Sequence, residues 1–158
     1  MTEQKVAGRV RLLALLVMIA GLILIVAGVG TYVTVSNKLS DQEITVSDDA
    51  AHFGGEHVDQ PWEAYAQANV IAKHANEIAG GKTYAELPQD DPNRDTVMNA
   101  SFLQASLFTS VVAFGVAVMA FGLGVVFILI GWALRSVVRT PAPGNVSHTA
   151  PVEEERES

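Results

Sequence analysis

Cysteine is absent from this 158-residue chain, so it holds no disulfide framework, thiolate zinc site or cysteine nucleophile. Basic charge is also scarce. Ten lysines and arginines stand against 17 aspartates and glutamates, a net charge of −7. Phosphate backbones need clustered Lys and Arg, so no nucleic-acid partner is expected. The most telling lack is local: Leu12–Asn37 and Thr96–Leu134 contain no Asp, Glu, Lys, Arg or His. Intramembrane ionisable groups mark proton relays, ion paths and voltage sensors, and their absence argues against a pump or transporter. No Gly-x-Ser-x-Gly elbow, phosphate loop or dinucleotide glycine fingerprint occurs either.

What is present is hydrocarbon, gathered into two blocks. A spanning helix needs roughly 20 mostly apolar residues, and each charge-free stretch is long enough to cross a bilayer once. Leu12–Val35 would be about 36 Å long as a helix, beyond the ~7–15 residue apolar core of a cleaved signal. It therefore reads as an uncleaved first span. Lys5, Arg9 and Arg11 precede it, and Arg135 and Arg139 follow the second, against Lys38 and Arg94 at the ends of the connection. The positive-inside rule places both termini in the cytoplasm and the connection outside, in a multi-pass protein of the cell (plasma) membrane. Trp132 and Tyr32 suit opposite interfaces.

The expected architecture is an all-α membrane protein. Two transmembrane helices form a hairpin with a small extracytoplasmic helical segment and a disordered C-terminal tail. Its divisions are a basic N-terminus over 1–11, a first span over 12–35, an outer segment over 36–106, a second span over 107–134 and a tail over 135–158. Ala14, Gly21 and Gly28 recur every seven residues on the first span, as do Ser110, Ala117, Gly124 and Gly131 on the second. A seven-residue repeat returns to nearly one side of a helix, and small residues let backbones approach closely in lipid. The two seams are expected to pack within the chain or against another subunit.

The outer segment reads as short helices. Pro61 opens one with Asp59 upstream, Gly80-Gly81 stops it, and Ala64, Ala68, Ile71, Ala75 and Ile78 line one face, with Trp62 and Tyr65 off that stripe. Thr83-Tyr84-Ala85-Glu86 has the form of a capping box. Asp91-Pro92 signals the start of a long helix to Leu134, with Val97, Met98, Phe102 and Ala105 facing the Pro61–Ala79 helix. The connection carries four Lys/Arg against twelve Asp/Glu.

Candidate metal ligands are His52, His57, His74 and Glu77. Imidazoles suit iron or zinc, but no dense ligand spacing appears, and the simpler expectation is polar surface histidines with no cofactor. Ala27-Gly28-Val29-Gly30-Thr31-Tyr32, Ile44–Ala50, Gly80–Leu87 and Val97–Leu103 resemble segments of a family of small actinobacterial two-span membrane proteins, over roughly residues 5–135. Some members of that family are labelled "aromatic ring-opening dioxygenase". The resemblance implies an envelope membrane protein. The label would imply ferrous iron held by two histidines and a carboxylate, but no motif of that enzyme class lies on this chain residue by residue. The leading expectation is a non-enzymatic accessory or scaffolding subunit that contacts the lipid bilayer and other membrane proteins or itself. The rivals are an extradiol dioxygenase and an envelope sensor binding a cation or ligand through the acidic outer segment.

Overall fold

The computed structural model describes residues 3–137, so the tail expected to be disordered lies, beyond Val137, outside the described residues. Three helices carry the fold: α1 (Glu3–Ser40), α2 (Pro61–Ile78) and α3 (Arg94–Val137), with a single 3-10 turn at Tyr84–Glu86. At standard rise α1 is about 57 Å long and α3 about 66 Å. Both are long and apolar enough to cross a membrane, yet only 17% of the most apolar window of each is buried within the protein. The core helix of a soluble domain would bury most of that surface. These two expose it: Leu12, Ile23, Val26, Val112, Val118 and Leu129 are all more than half accessible.

α1 and α3 run antiparallel in close contact. Ala14, Gly21 and Gly28 of α1 lie opposite Gly131, Gly124 and Ala117 of α3. A Cβ built on Gly28 would come within 2.6 Å of the Ala117 carbonyl oxygen, so glycine permits this approach. Ser110, the fourth expected seam residue, is half-buried and donates its hydroxyl to the Ser106 carbonyl at 3.2 Å. Beyond the seam, the Tyr32 ring meets Phe114 edge-on at 4.8 Å, and Leu39 and Leu107 belong to one buried cluster.

α2 packs against the N-terminal part of α3. Its cap is Gln60: the Gln60 amide donates to the Glu63 carboxylate at 2.8 Å, and Pro61 occupies the first turn. Its end is a Schellman turn. Gly80 and Gly81 adopt φ of 63° and 84°, and the Gly81 amide returns to the Asn76 carbonyl at 2.8 Å. The inner face of α2 is rotated from the alanine stripe: Ala64 and Ala68 are buried, but so are Glu63, Gln67 and Val70, while Ile78 is exposed.

α3 starts at Arg94, two residues after the proline. The Asp91 carboxylate caps the Asn93 amide at 2.8 Å, and the Arg94 amide closes a tighter turn onto the Asp91 carbonyl at 3.1 Å before α-helical bonding begins. The Arg94 guanidinium then reaches back to the Tyr84, Leu87 and Pro88 carbonyls and lies 4.2 Å over the Tyr84 ring. Of the four residues expected to face α2, Val97 is buried and Met98 half-buried, but Phe102 is 65% exposed and Ala105 is exposed. Leu107 provides the inner contact one turn further along, and Phe108 and Val111 pack beside it.

Candidate docking groove

Residues 41–60 link α1 to α2 and fold back on themselves. The Val46 amide donates to the Glu56 carbonyl at 2.8 Å and the Val58 amide to the Ile44 carbonyl at 2.9 Å, around a Thr45–His57 bridge. Val46 and Val58 point inward and are fully buried. Gln67 ties this loop to α2, its side-chain carbonyl accepting from the Ser47 amide at 2.9 Å. Asp49 ties it a second time. Its carboxylate meets His74 Nε2 at 2.8 Å and Lys73 Nζ at 3.3 Å. The His74 hydrogen bond, then the one from Lys73, holds the Asp49 carboxyl below the usual aspartate range.

The candidate metal ligands are dispersed by this arrangement. His74 pairs with Asp49, His57 sits in the backbone bridge, and His52 stacks edge-on against Phe53 at 6.2 Å. Glu77 is exposed on α2. Among the described residues no three His, Asp or Glu side chains converge as a metal site would require.

What the loop does build is a groove. Phe53, Pro61, Trp62, Tyr65, Ala66 and Val70 line an open cleft of about 630 Å³ on the flank of α2, with Asp49 and Lys73 at its far end. Trp62 and Tyr65 are each about half exposed, and Tyr65 meets Phe108 edge-on at 5.7 Å. Phe53 has φ of 63°, a left-handed conformation uncommon for a bulky residue. Gly54 and Gly55 follow it, and a Cβ on Gly54 would press on the Asp48 carbonyl oxygen at 3.2 Å. The turn therefore presents an aromatic ring to the cleft at a local conformational cost.

A second, smaller cleft of about 180 Å³ lies between α1 and α3, lined by Gly28, Tyr32, Ala117 and Phe121 among others. Tyr32 connects the two regions: its ring lines the lower cleft and its hydroxyl donates to the Gln60 side-chain carbonyl at 2.5 Å.

The chain matches no protein-family model, no curated protein and no solved structure. The sequence had set Trp62 and Tyr65 apart as lying off the alanine stripe. It gave no sign that Phe53, in a loop, would join them, because only the folded loop brings that ring to α2.

Proposed function

We propose that this chain is a two-span integral membrane protein acting as a non-enzymatic accessory or scaffolding subunit. In this reading its termini are cytoplasmic, and α2 with the outer part of α3 forms an extracytoplasmic arm. The observation that carries it is the outward display of apolar side chains along both long helices, which lipid satisfies and water does not. Arg9, Arg11 and Arg135 gather at one end of the helix pair, and the acidic loop and arm lie at the other. The arm carries Phe102 and Leu103, 65% and 55% exposed, well beyond the seam, as surface for another membrane subunit.

Ring-opening chemistry, which the sequence resemblance would suggest, finds less support. It needs two histidines and a carboxylate aimed at one ion. Here Asp49 is shared between His74 and Lys73, and His52 and His57 engage elsewhere.

Purification in mild detergent followed by mass spectrometry tests the proposal. The expected result is a larger complex that is lost in Phe102→Ser and Leu103→Ser. A lone protein with stoichiometric iron and catechol turnover would replace this reading with the enzyme. Release of the intact chain from vesicles by alkaline carbonate would remove its foundation.

A further inference from the structure

We infer that the aromatic groove beside α2 takes one hydrocarbon tail of a membrane lipid, drawn up from the outer leaflet; this rests on the two-span reading. A hydrocarbon core of ~30 Å measured outward from Arg11 and Arg135 ends near Tyr32 and Phe114. Tyr32 is bonded to Gln60, the residue that starts α2. Pro61 and Trp62, at the foot of the groove, therefore stand at the headgroup layer, where amphipathic rings settle.

From that foot the groove climbs α2 toward Lys73, about 18 Å at standard helical rise. Its walls are mostly hydrocarbon and aromatic, with Asn69 and His52 as polar side chains among them. The charged groups at its upper end already satisfy one another, since Asp49 binds both Lys73 and His74. Asn69 and His52 are the polar side chains left along the wall, few partners for a peptide backbone, and the ion pair caps how far an apolar chain can rise. The volume of about 630 Å³ falls within the ~300–1,000 Å³ of small-molecule sites.

The driving force is the covering of rings that otherwise face water. Trp62, Tyr65 and Phe53 are 51%, 53% and 38% exposed around one cleft. The left-handed Phe53 adds a second indication, because the loop accepts an unfavourable backbone to bring its ring to this wall. On the two-span reading the foot of the groove stands at the headgroup layer, so a lipid tail is the apolar occupant nearest to hand.

Trp62 and Trp132 are the two tryptophans, which makes the test direct. Full-length Trp132→Phe is placed in nanodiscs of phosphatidylcholine brominated either near the tail carboxyl or near the tail end. Bromines at the tail end of an ordinary bilayer lipid lie deep and cannot reach a headgroup-level ring. The expected result is that tail-end bromines quench about half of Trp62 emission, at least as much as the shallow ones. Ala66→Phe and Ala51→Phe, which fill the groove from opposite walls, should each abolish the tail-end quenching while the shallow quenching persists. Quenching that weakens steadily toward the tail end, or survives both fillings, would place Trp62 in ordinary headgroups and overturn the groove assignment. Shielding of Trp62 from aqueous acrylamide without bromine quenching would give the groove to a second copy or a protein partner and also overturn it. Trp132, read alone in Trp62→Phe, separates the two levels: if it is quenched while Trp62 is not, the membrane reading stands and the groove inference falls. If neither is quenched, both fall.

Discussion

Gly21 and Gly124 face each other so closely that a Cβ on either would lie 2.6 Å from the other's carbonyl oxygen. Ile25 covers Gly124 and Ile128 covers Gly21, so the two helices interlock around bare backbone. Van der Waals contact of this kind holds helices together in lipid, where apolar side chains gain nothing by leaving the tails.

Gly124→Leu is accordingly expected to separate α1 from α3 at a cost of about 1–3 kcal/mol, the range for overpacking. The cysteine-free sequence allows a clean readout. Val35→Cys with Val111→Cys, both packed on one cluster, should cross-link in the parent and much less in the Gly124→Leu background. Gly122→Leu, which meets nothing within 4 Å, should leave the yield unchanged.

Tyr32→Phe keeps the edge-on contact with Phe114 but removes the hydroxyl that Gln60 receives. The loss should be about 0.5–1.5 kcal/mol. It should show as faster hydrogen exchange in the first turn of α2, with α1 and α3 little affected. Equal loosening of all three helices would mean that the bond does not act on α2 specifically.

Gln67→Leu conserves volume and removes the acceptor of the Ser47 amide. An unsatisfied amide costs about 1–3 kcal/mol. Exchange at Val46, Gly55 and Val58, whose amides hold the loop together, should accelerate well before that of α3.

The Asp49 contacts predict a pH response. Its carboxyl is held below the ordinary aspartate value by His74 and Lys73, so the folded form binds the proton less readily than the unfolded one. The resulting stabilisation is present above the ordinary value of about 3.9 and is lost as pH falls through the folded value. Loop exchange at Ser47–Phe53 should therefore rise below about pH 4. Asp49→Asn should raise it at neutral pH and remove this acid-dependent component.

Some of this structure was legible because the signal is local. Two charge-free stretches announce long helices, and the small residues at seven-residue intervals announce a face. Gly80-Gly81 marks a stop because only residues tolerant of positive φ complete that turn. Thr83 and Glu86 form the box that their spacing suggests, the Thr83 amide donating to the Glu86 carboxylate at 2.8 Å. Other features depend on chain far away. Gln67 is buried because a loop twenty residues earlier uses its carbonyl, so a polar residue occupies what periodicity reserves for apolar ones. Phe102 points outward because α2 and its loop press on α3 through Leu107, Phe108 and Val111. The Asp91 carboxylate caps the Asn93 amide as expected, and the α-helix starts at Arg94 rather than Pro92 because the Arg94 amide closes a tighter turn onto the Asp91 carbonyl. The groove needs Phe53 and Trp62 to line one cleft, and no spacing rule relates them.

α3 crosses from the arm to the basic end as one uninterrupted helix, with no proline between Pro92 and Pro141 in the sequence. Lacking the usual kinking residue, it joins the exposed Phe102 surface and the Arg135 end in a single secondary-structure element, so neither can be deleted without shortening the other's support.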